Sequence, residues 1–552
     1  MPKLMNSCLS SRGLGRASCA ALTAAIALAT TSAHAGGLYF TDRGVRPLGR
    51  GGAFIAGADD AGSVAYNPAG LAFTGHQFLL DASWLQYSAT YQRKTIVRQI
   101  DPNTQEPTGV EWEQTYPQVE GTTPVLPIPT IVYADPLGSD KYNFAIGVWA
   151  PYAAITSFPE TVKGQPAPQR YSIISLDGSA LAIPGVYASM FASDDLALGA
   201  GIEMLTGFFQ TSVYFSACVP ERFLCAPEQP EYDTYAQLRV GPIFAPSGIV
   251  GAIYEPSEVV RVGASFHLPF WVHSHATQDV RLASAAVFDN ASVKGDSATV
   301  DFRLPWTARA GIEFRPGDLR VEAGVGYEAW SMHDEIRVES DEIALVNVAG
   351  FPTEYQISPV SIDRGFQDSY SGRLGVEYGF EAGSYRMVTR GGLMAERSAI
   401  PTEYLSAATI DLDKVVASIG GSLHIGKWRF DGVFARVFTS SVEVGAREQR
   451  VRQVNPVLSN PPRYPNYING GTYTASANVI GLGLAYQFDS TEEPPTRPSA
   501  APPAEPREPE VQPKPESEPK AEPKPEPKAK DDDGGFDEAF DKADDKPKPK
   551  KK

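Results

Sequence analysis

The sequence predicts an all-β fold: a transmembrane antiparallel β-barrel of about 14 strands, with a disordered C-terminal tail. Three observations carry that reading. Apolar residues alternate with small or charged ones from about residue 77 to 488. Short turns alternate with long polar loops along the same stretch. No run after the first 35 residues approaches the roughly 18–20 apolar residues that a membrane-spanning helix needs. With 42% hydrophobic and 20% charged residues, the chain is also far too polar for a helical membrane protein.

Residues 1–35 read as a secretory signal. Lys3, Arg12 and Arg16 precede a small-residue apolar stretch, Ala17 to Thr31, and Ala33-His34-Ala35 fits a cleavage site before Gly36. Residues 36–76 are rich in Gly and Ala and show little alternation.

Successive side chains of a strand point to opposite faces, so a period of two marks a two-sided environment. Leu319, Val321, Ala323, Val325, Tyr327 and Ala329 share one face; Arg320, Glu322, Gly324, Gly326 and Glu328 share the other. Trp306 to Phe314 alternates likewise, and Arg315-Pro316-Gly317-Asp318 between them is a tight turn, which makes a hairpin. Segments 142–148, 196–204 and 480–488 repeat the pattern. A soluble sandwich buries such an apolar face against a second sheet, whereas a membrane barrel turns it to lipid.

Turns at 135–140, 193–195, 315–318 and 426–427 alternate with loops at about 93–123, 215–234, 276–296, 337–365 and 446–472. That asymmetry favours the barrel, with one end in the periplasm and the other outside. Trp84, Tyr87, Tyr91, Trp271 and Trp330 lie towards strand ends and are expected to form interfacial girdles. The last strand closes on Phe488.

From residue 489 to 552 the composition changes to Pro, Glu, Lys and Asp, as in PKPESEPKAEPKPEPKAK. Such a segment has nothing to bury and is expected to be extended and disordered, either an inert spacer or the docking site of a periplasmic partner. The net charge of -17 argues against nucleic-acid binding, which requires clustered Lys and Arg.

Signal cleavage would leave Cys218 and Cys225, whose short spacing in an oxidising compartment is expected to be a disulfide that staples a loop. No cofactor, catalytic or metal site is expected. Neither G-x-S-x-G nor H-E-x-x-H occurs, and His267, His273 and His275 read as interfacial or loop residues. Phe208, Phe209, Phe223 and Leu224 are candidates to line a capture pocket for a hydrophobic ligand, with girdle or loop packing as the alternative.

The stretch Gly44 to Leu71, GVRPLGRGGAFIAGADDAGSVAYNPAGL, resembles the N-terminal region of the FadL family of long-chain fatty acid outer-membrane transporters. Gly49 and Arg50, then Ala58, Asp59 and Asp60, then Asn67, Pro68 and Ala69 match its motifs in order. GVWAPYAAITSFPE, from Gly147 to Glu160, resembles the family's third strand and the loop after it.

The resemblance implies a 14-stranded, monomeric barrel in outer-membrane lipid, with residues 36–76 folded into the lumen of 77–488 as a hatch. It implies a hydrophobic small-molecule ligand, such as a long-chain fatty acid, passing passively and leaving through a gap in the third strand at Ala150, Pro151 and Tyr152. Pro151 is independently suited to interrupting a strand, because it cannot donate a ladder hydrogen bond, and the alternative is a strand that simply ends at its loop. Asp59 and Asp60 are expected to accept hydrogen bonds from barrel arginines, with a solvated loop as the alternative. Two departures stand out: the tail continues beyond the family's last strand, and Gly51-Gly52 replaces alanine, which is expected to loosen the hatch. The competing functions are a general porin for polar solutes and a structural protein tethered by its tail.

Overall fold

The computed structural model describes residues 39–489 except 41, 102, 105–106, 124–126, 154–155, 217–228, 341 and 455–465. These belong to a compact unit, Met1–Ser499. The signal region 1–35, Cys218, Phe223, Leu224, Cys225 and the tail from 490 onward lie outside the described residues.

Alternation along the chain becomes strands with one buried face. They are β1 (Gln77–Ile100), β2 (Pro127–Asp135), β3 (Tyr142–Trp149), β4 (Ala180–Ser193), β5 (Leu196–Ser216) and β6 (Asp233–Ser257). Four interrupted spans follow. These are β7 (Val260–His267, Phe270–Arg281), β8 (Ser297–Leu304, Thr307–Phe314), β9 (Leu319–Glu328, Glu335–Ser340) and β10 (Val360–Asp363, Ser369–Ala382). The last four are β11 (Tyr385–Glu396), β12 (Lys414–Ile425), β13 (Trp428–Thr439) and β14 (Gly471–Gln487).

Neighbours in sequence pair antiparallel, and β14 pairs back onto β1 from Gln77↔Gln487 to Arg93↔Gly471. The result is a closed 14-strand barrel. Closure satisfies every ladder edge, which an uncovered sheet in lipid cannot do. The tight turns, among them Asp194-Asp195 and Gly426-Lys427, share one end with His76 and Phe488. The long connections occupy the other end.

One expected loop is largely strand. β1 runs to Ile100 and is met by a returning strand, Pro107–Thr115, where a loop was expected over about 93–123. Polar side chains there masked an extended hairpin.

The two faces exchange polarity part-way along the barrel. The outward face of β1 reads Phe78, Leu80, Ala82 and Trp84, then Gln86, Ser88, Thr90 and Gln92. Its buried face reads Asp81 and Ser83, then Leu85, Tyr87, Ala89 and Tyr91. On β14 the outward face changes from Leu482 and Ile480 to Asn478 and Ser476. Below this level apolar groups face lipid: Ile202 is 72% exposed and Ile419 63%. Above it water lies outside, and the apolar residues turn inward.

This exchange corrects the expected girdles. Trp84 and Trp271 do point outward, but Tyr87, Tyr91 and Trp330 are buried. At their level the outer face has already become polar.

Residues 42–75 fold inside the lumen. A short helix, α1 (Val45–Gly49), is followed by two 3-10 turns, Ala61–Ala65 and Pro68–Phe73. Asp60 caps the first turn by accepting from the Gly62 N–H (2.9 Å), and Asn67 caps the second by accepting from the Ala69 N–H (3.2 Å). Pro68 follows its cap, where its missing N–H costs nothing. Gly51 and Gly52 have φ of +61° and +76°, so a side chain there would be strained. At Gly51 a Cβ would also stand 2.7 Å from the Leu393 backbone nitrogen. Gly51 therefore fits the plug tightly against β11, and Gly52 makes room for the Asp42 side chain.

Candidate functional site

The plug is held by charge. Arg50 donates to Glu313 (2.7 Å) and Glu322 (3.0 Å), and all three side chains are fully buried. Glu322 also accepts the backbone N–H groups of Ile55 (2.7 Å), Ala56 (2.9 Å) and Gly57 (3.0 Å). One barrel carboxylate thus satisfies three consecutive plug amides, which no strand or helix partner serves. Arg46 pairs with Asp59 (2.5 Å), Asp60 (3.2 Å) and Glu377 (3.2 Å).

Asp59 accepts further from Arg320 (2.7 Å), and Asp60 from Arg429 (2.8 Å). Burial alone would raise the Asp59 pKa, but Arg320, Arg46 and Arg261 overcome it and hold the carboxyl well below its ordinary value. Asn67 donates to the carbonyls of Ile55 (2.9 Å) and of Ala252 on β6 (3.1 Å), tying plug to wall.

The small residues of the inward face make room for this plug. A Cβ at Gly199 would lie 2.3 Å from the backbone of Pro68 and Ala69, and one at Gly251 would lie 2.0 Å from Asn67 Oδ1. Gly392 is equally close to Gly51. Pro68 and Ala69 therefore act as contact surface, and Gly49 packs in the same way on Gly420 and Arg390.

Between the plug and the long loops lies a cavity of ≈ 380 Å³. Leu205, Phe209, Val240, Ile243, Val300 and Val338 supply apolar wall. On one side stands a polar group. The Arg43 guanidinium lies 4.0 Å from the Trp149 ring, and Trp149 Nε1 donates to Tyr187 (3.2 Å). Tyr187 in turn donates to Glu203 (2.8 Å), which contacts His267 Nε2 at 2.6 Å. Elsewhere in the wall, Lys414 is neutralised by Glu396 at 2.8 Å and Asp411 at 3.7 Å.

The barrel wall changes character beside this cavity. The register of β3 with β2 and β4 ends at Trp149, with one further bond from the Ala150 N–H to the Pro129 carbonyl of β2 (3.3 Å). Just beyond Ala150 and Pro151, Tyr152 and Ala153 pair with Phe40 and Tyr39, at the start of the described chain. The plug segment thus reaches the wall where the third strand leaves its neighbours. Pro151 itself lines the cavity.

Among the residues expected to form a pocket, Phe209 lines the cavity. Phe208 points away from it and is 43% exposed, because neighbours on a strand face opposite ways. Phe223 and Leu224 fall outside the described residues, as does the expected Cys218–Cys225 bridge. The three histidines do not converge. His267 faces inward to Glu203, whereas His273 lies on the outer surface beside Asp301 (2.6 Å), with His275 exposed nearby. Sequence reasoning missed Arg46, Glu322, Glu377 and the Trp149–Tyr187–Glu203 group. Each looks like an ordinary strand or loop residue until a distant segment meets it.

Fold and site together define an outer-membrane β-barrel with its own N-terminal plug and a greasy chamber above it. The family model described as "Outer membrane protein transport protein (OMPP1/FadL/TodX)" matches residues 26–488. The chain belongs to that family and to the Gram-negative outer membrane.

Three solved structures share the fold. A Pseudomonas aeruginosa FadL homologue aligns with TM-score 0.58 at 16% identity, over 82% of this chain and 100% of that one. The P. putida toluene transporter TodX gives 0.53 at 14% identity, covering 81% and 99% respectively. The Ralstonia pickettii toluene transporter TbuX gives 0.50 at 16%, also covering 81% and 99%. The search of curated proteins returns no match.

Proposed function

We propose that this barrel admits hydrophobic small molecules, such as long-chain fatty acids or aromatic hydrocarbons, by passive diffusion past its plug. The observation that carries this reading is the largely apolar cavity of ≈ 380 Å³ between plug and outer loops. Its size falls within the roughly 300–1,000 Å³ of small-molecule sites. Each buried CH₂ of a ligand gains about 0.8 kcal/mol on leaving water, so such a chamber concentrates greasy solutes beyond the polar membrane surface. The family's transport role and the toluene transporters of like fold support the reading.

The exit we propose is lateral, at Ala150, Pro151 and Tyr152. Support comes from the early end of the β3 ladder at Trp149 and from the plug segment paired just beyond it. A solute leaving there enters lipid without crossing the charged plug. The barrel would act as a monomer, with the segment after Phe488 on the periplasmic side, available to a periplasmic partner.

Proteoliposomes test the proposal. Saturable oleate or toluene binding without swelling in sugars is the expected result. Free permeation of sugars with no hydrophobic binding would make it a general porin instead.

A further inference from the structure

Trp149 ends the register of β3 and lines the chamber beside Pro151, at the point where the exit proposed above begins. Its indole is gripped from two sides. The plug's Arg43 lies over the ring face at 4.0 Å, and Arg43 is itself fixed, because its backbone N–H donates to Tyr66 Oη at 2.7 Å. The ring edge meets the barrel wall. Its Nε1 lies 3.2 Å from Tyr187 Oη on β4 and 3.3 Å from Glu203 Oε1 on β5.

Glu203 is the centre of this group. Its side chain is fully buried, accepts the Tyr187 hydroxyl at 2.8 Å and stands 2.6 Å from His267 Nε2 on β7. The other ring nitrogen, Nδ1, lies 2.6 Å from the Leu268 carbonyl, which accepts and cannot donate. One hydrogen therefore sits on Nδ1, and a second is held between Nε2 and the carboxylate, which leaves the pair neutral overall.

The backbone makes room for the arrangement. A Cβ at Gly185 would stand 2.5 Å from the Tyr187 hydroxyl, and one at Gly201 would stand 2.2 Å from its ring. With glycine at both positions, Tyr187 lies along the wall and reaches Glu203. Packing alone can hold a Trp ring in an apolar wall, and burying a carboxylate is costly. What the bonded network adds is a single position for the ring it holds.

We propose that Glu203, with Tyr187 and His267, is a positioning residue that braces Trp149 across the way from chamber to exit. Trp149 is then the gate, and its displacement sets how fast a bound solute leaves. Arg43 on the same ring makes the plug the second support of that gate. This rests on the exit at Ala150, Pro151 and Tyr152 and on the chamber being the passage.

The test separates holding a solute from releasing it. Oleate and toluene binding is measured on the full-length purified protein, and initial uptake of both by Gram-negative cells that lack their own transporter of this family. Glu203→Leu should leave both affinities within about twofold of wild type and speed uptake about threefold or more. Trp149→Phe, which keeps a ring but loses the Nε1 donor, should do the same, and the double variant should be no faster than either single one. Glu203→Gln should restore wild-type uptake, because its amide still accepts from Tyr187 and offers His267 Nε2 an N–H. Ala150→Trp, which adds bulk at the exit, should slow uptake. Heat-modifiable electrophoretic mobility reports that each variant barrel is folded. Unchanged uptake in Glu203→Leu, or a loss of binding and uptake together that glutamine does not rescue, overturns the brace. Unchanged uptake in Ala150→Trp overturns the exit, and the brace with it. Failure of wild type to take up either solute overturns the passage itself.

Discussion

Trp84 on β1 and Ile480 on β14 are register partners, and immediately above them the pair Gln86 and Asn478 turns the outer surface polar. Two strands from opposite ends of the barrel sequence therefore mark one membrane boundary. A charge on the lipid side of that boundary should cost far more than one above it. Leu482→Arg is expected to destabilise the barrel by about 2–4 kcal/mol, and Ser476→Arg by about 1 kcal/mol or less. Urea titration in lipid vesicles reads the difference.

Arg50 pairs with two buried carboxylates; Glu313 also meets Arg320 at 3.0 Å, so removing Arg50 leaves Glu322 buried without a cation. Arg50→Met should weaken plug docking by about 3–5 kcal/mol. Planar-bilayer recordings should then show ion conductance that wild type lacks. An unchanged, silent barrel would mean that the plug is held mainly by packing.

The glycine seats predict a steric version of the same release. Gly251→Val places atoms where Asn67 Oδ1 now sits, and Gly199→Val does so against Pro68. Both should raise conductance. Gly432→Val, whose Cβ would meet open space, should not.

Asp59 sets how the plug responds to acid. Its folded pKa lies below the ordinary 3.8, so its stabilising contribution is complete above that value and fades only as pH falls towards the depressed one. The plug should accordingly stay closed from pH 7 to about pH 4.5. Asp59→Asn should open it across that whole range, which bilayer conductance against pH would show.

Much of this was legible in the sequence. Period-2 alternation at 319–328 and 307–314, joined by Pro316-Gly317, locates a hairpin without ambiguity. The motif from Gly49 to Ala69 gives the plug its place through family resemblance. What alternation cannot reveal is which medium lies beyond a face. Tyr87 and Tyr91 were misplaced because an aromatic near a strand end looks alike whether it faces headgroups or a chamber.

Phe208 and Phe209 offer the plainest check of the chamber. Truncating Phe209 to alanine removes apolar wall worth about 1.5–3 kcal/mol when fully covered by ligand, or about one to two decades in Kd. Truncating Phe208 should leave ligand binding unchanged, since it points the other way. Equal effects would place the ligand elsewhere.

The exchange of faces along β1 and β14 means that one continuous sheet is solvated by two liquids. Its outer half gathers apolar side chains within itself, as a water-soluble carrier does, so water drives that half together. Its inner half gains nothing from water and relies on closed hydrogen bonding and on packing in lipid. Denaturants that act by weakening hydrophobic association should loosen the mouth of the barrel first, and detergents that displace lipid should loosen its base.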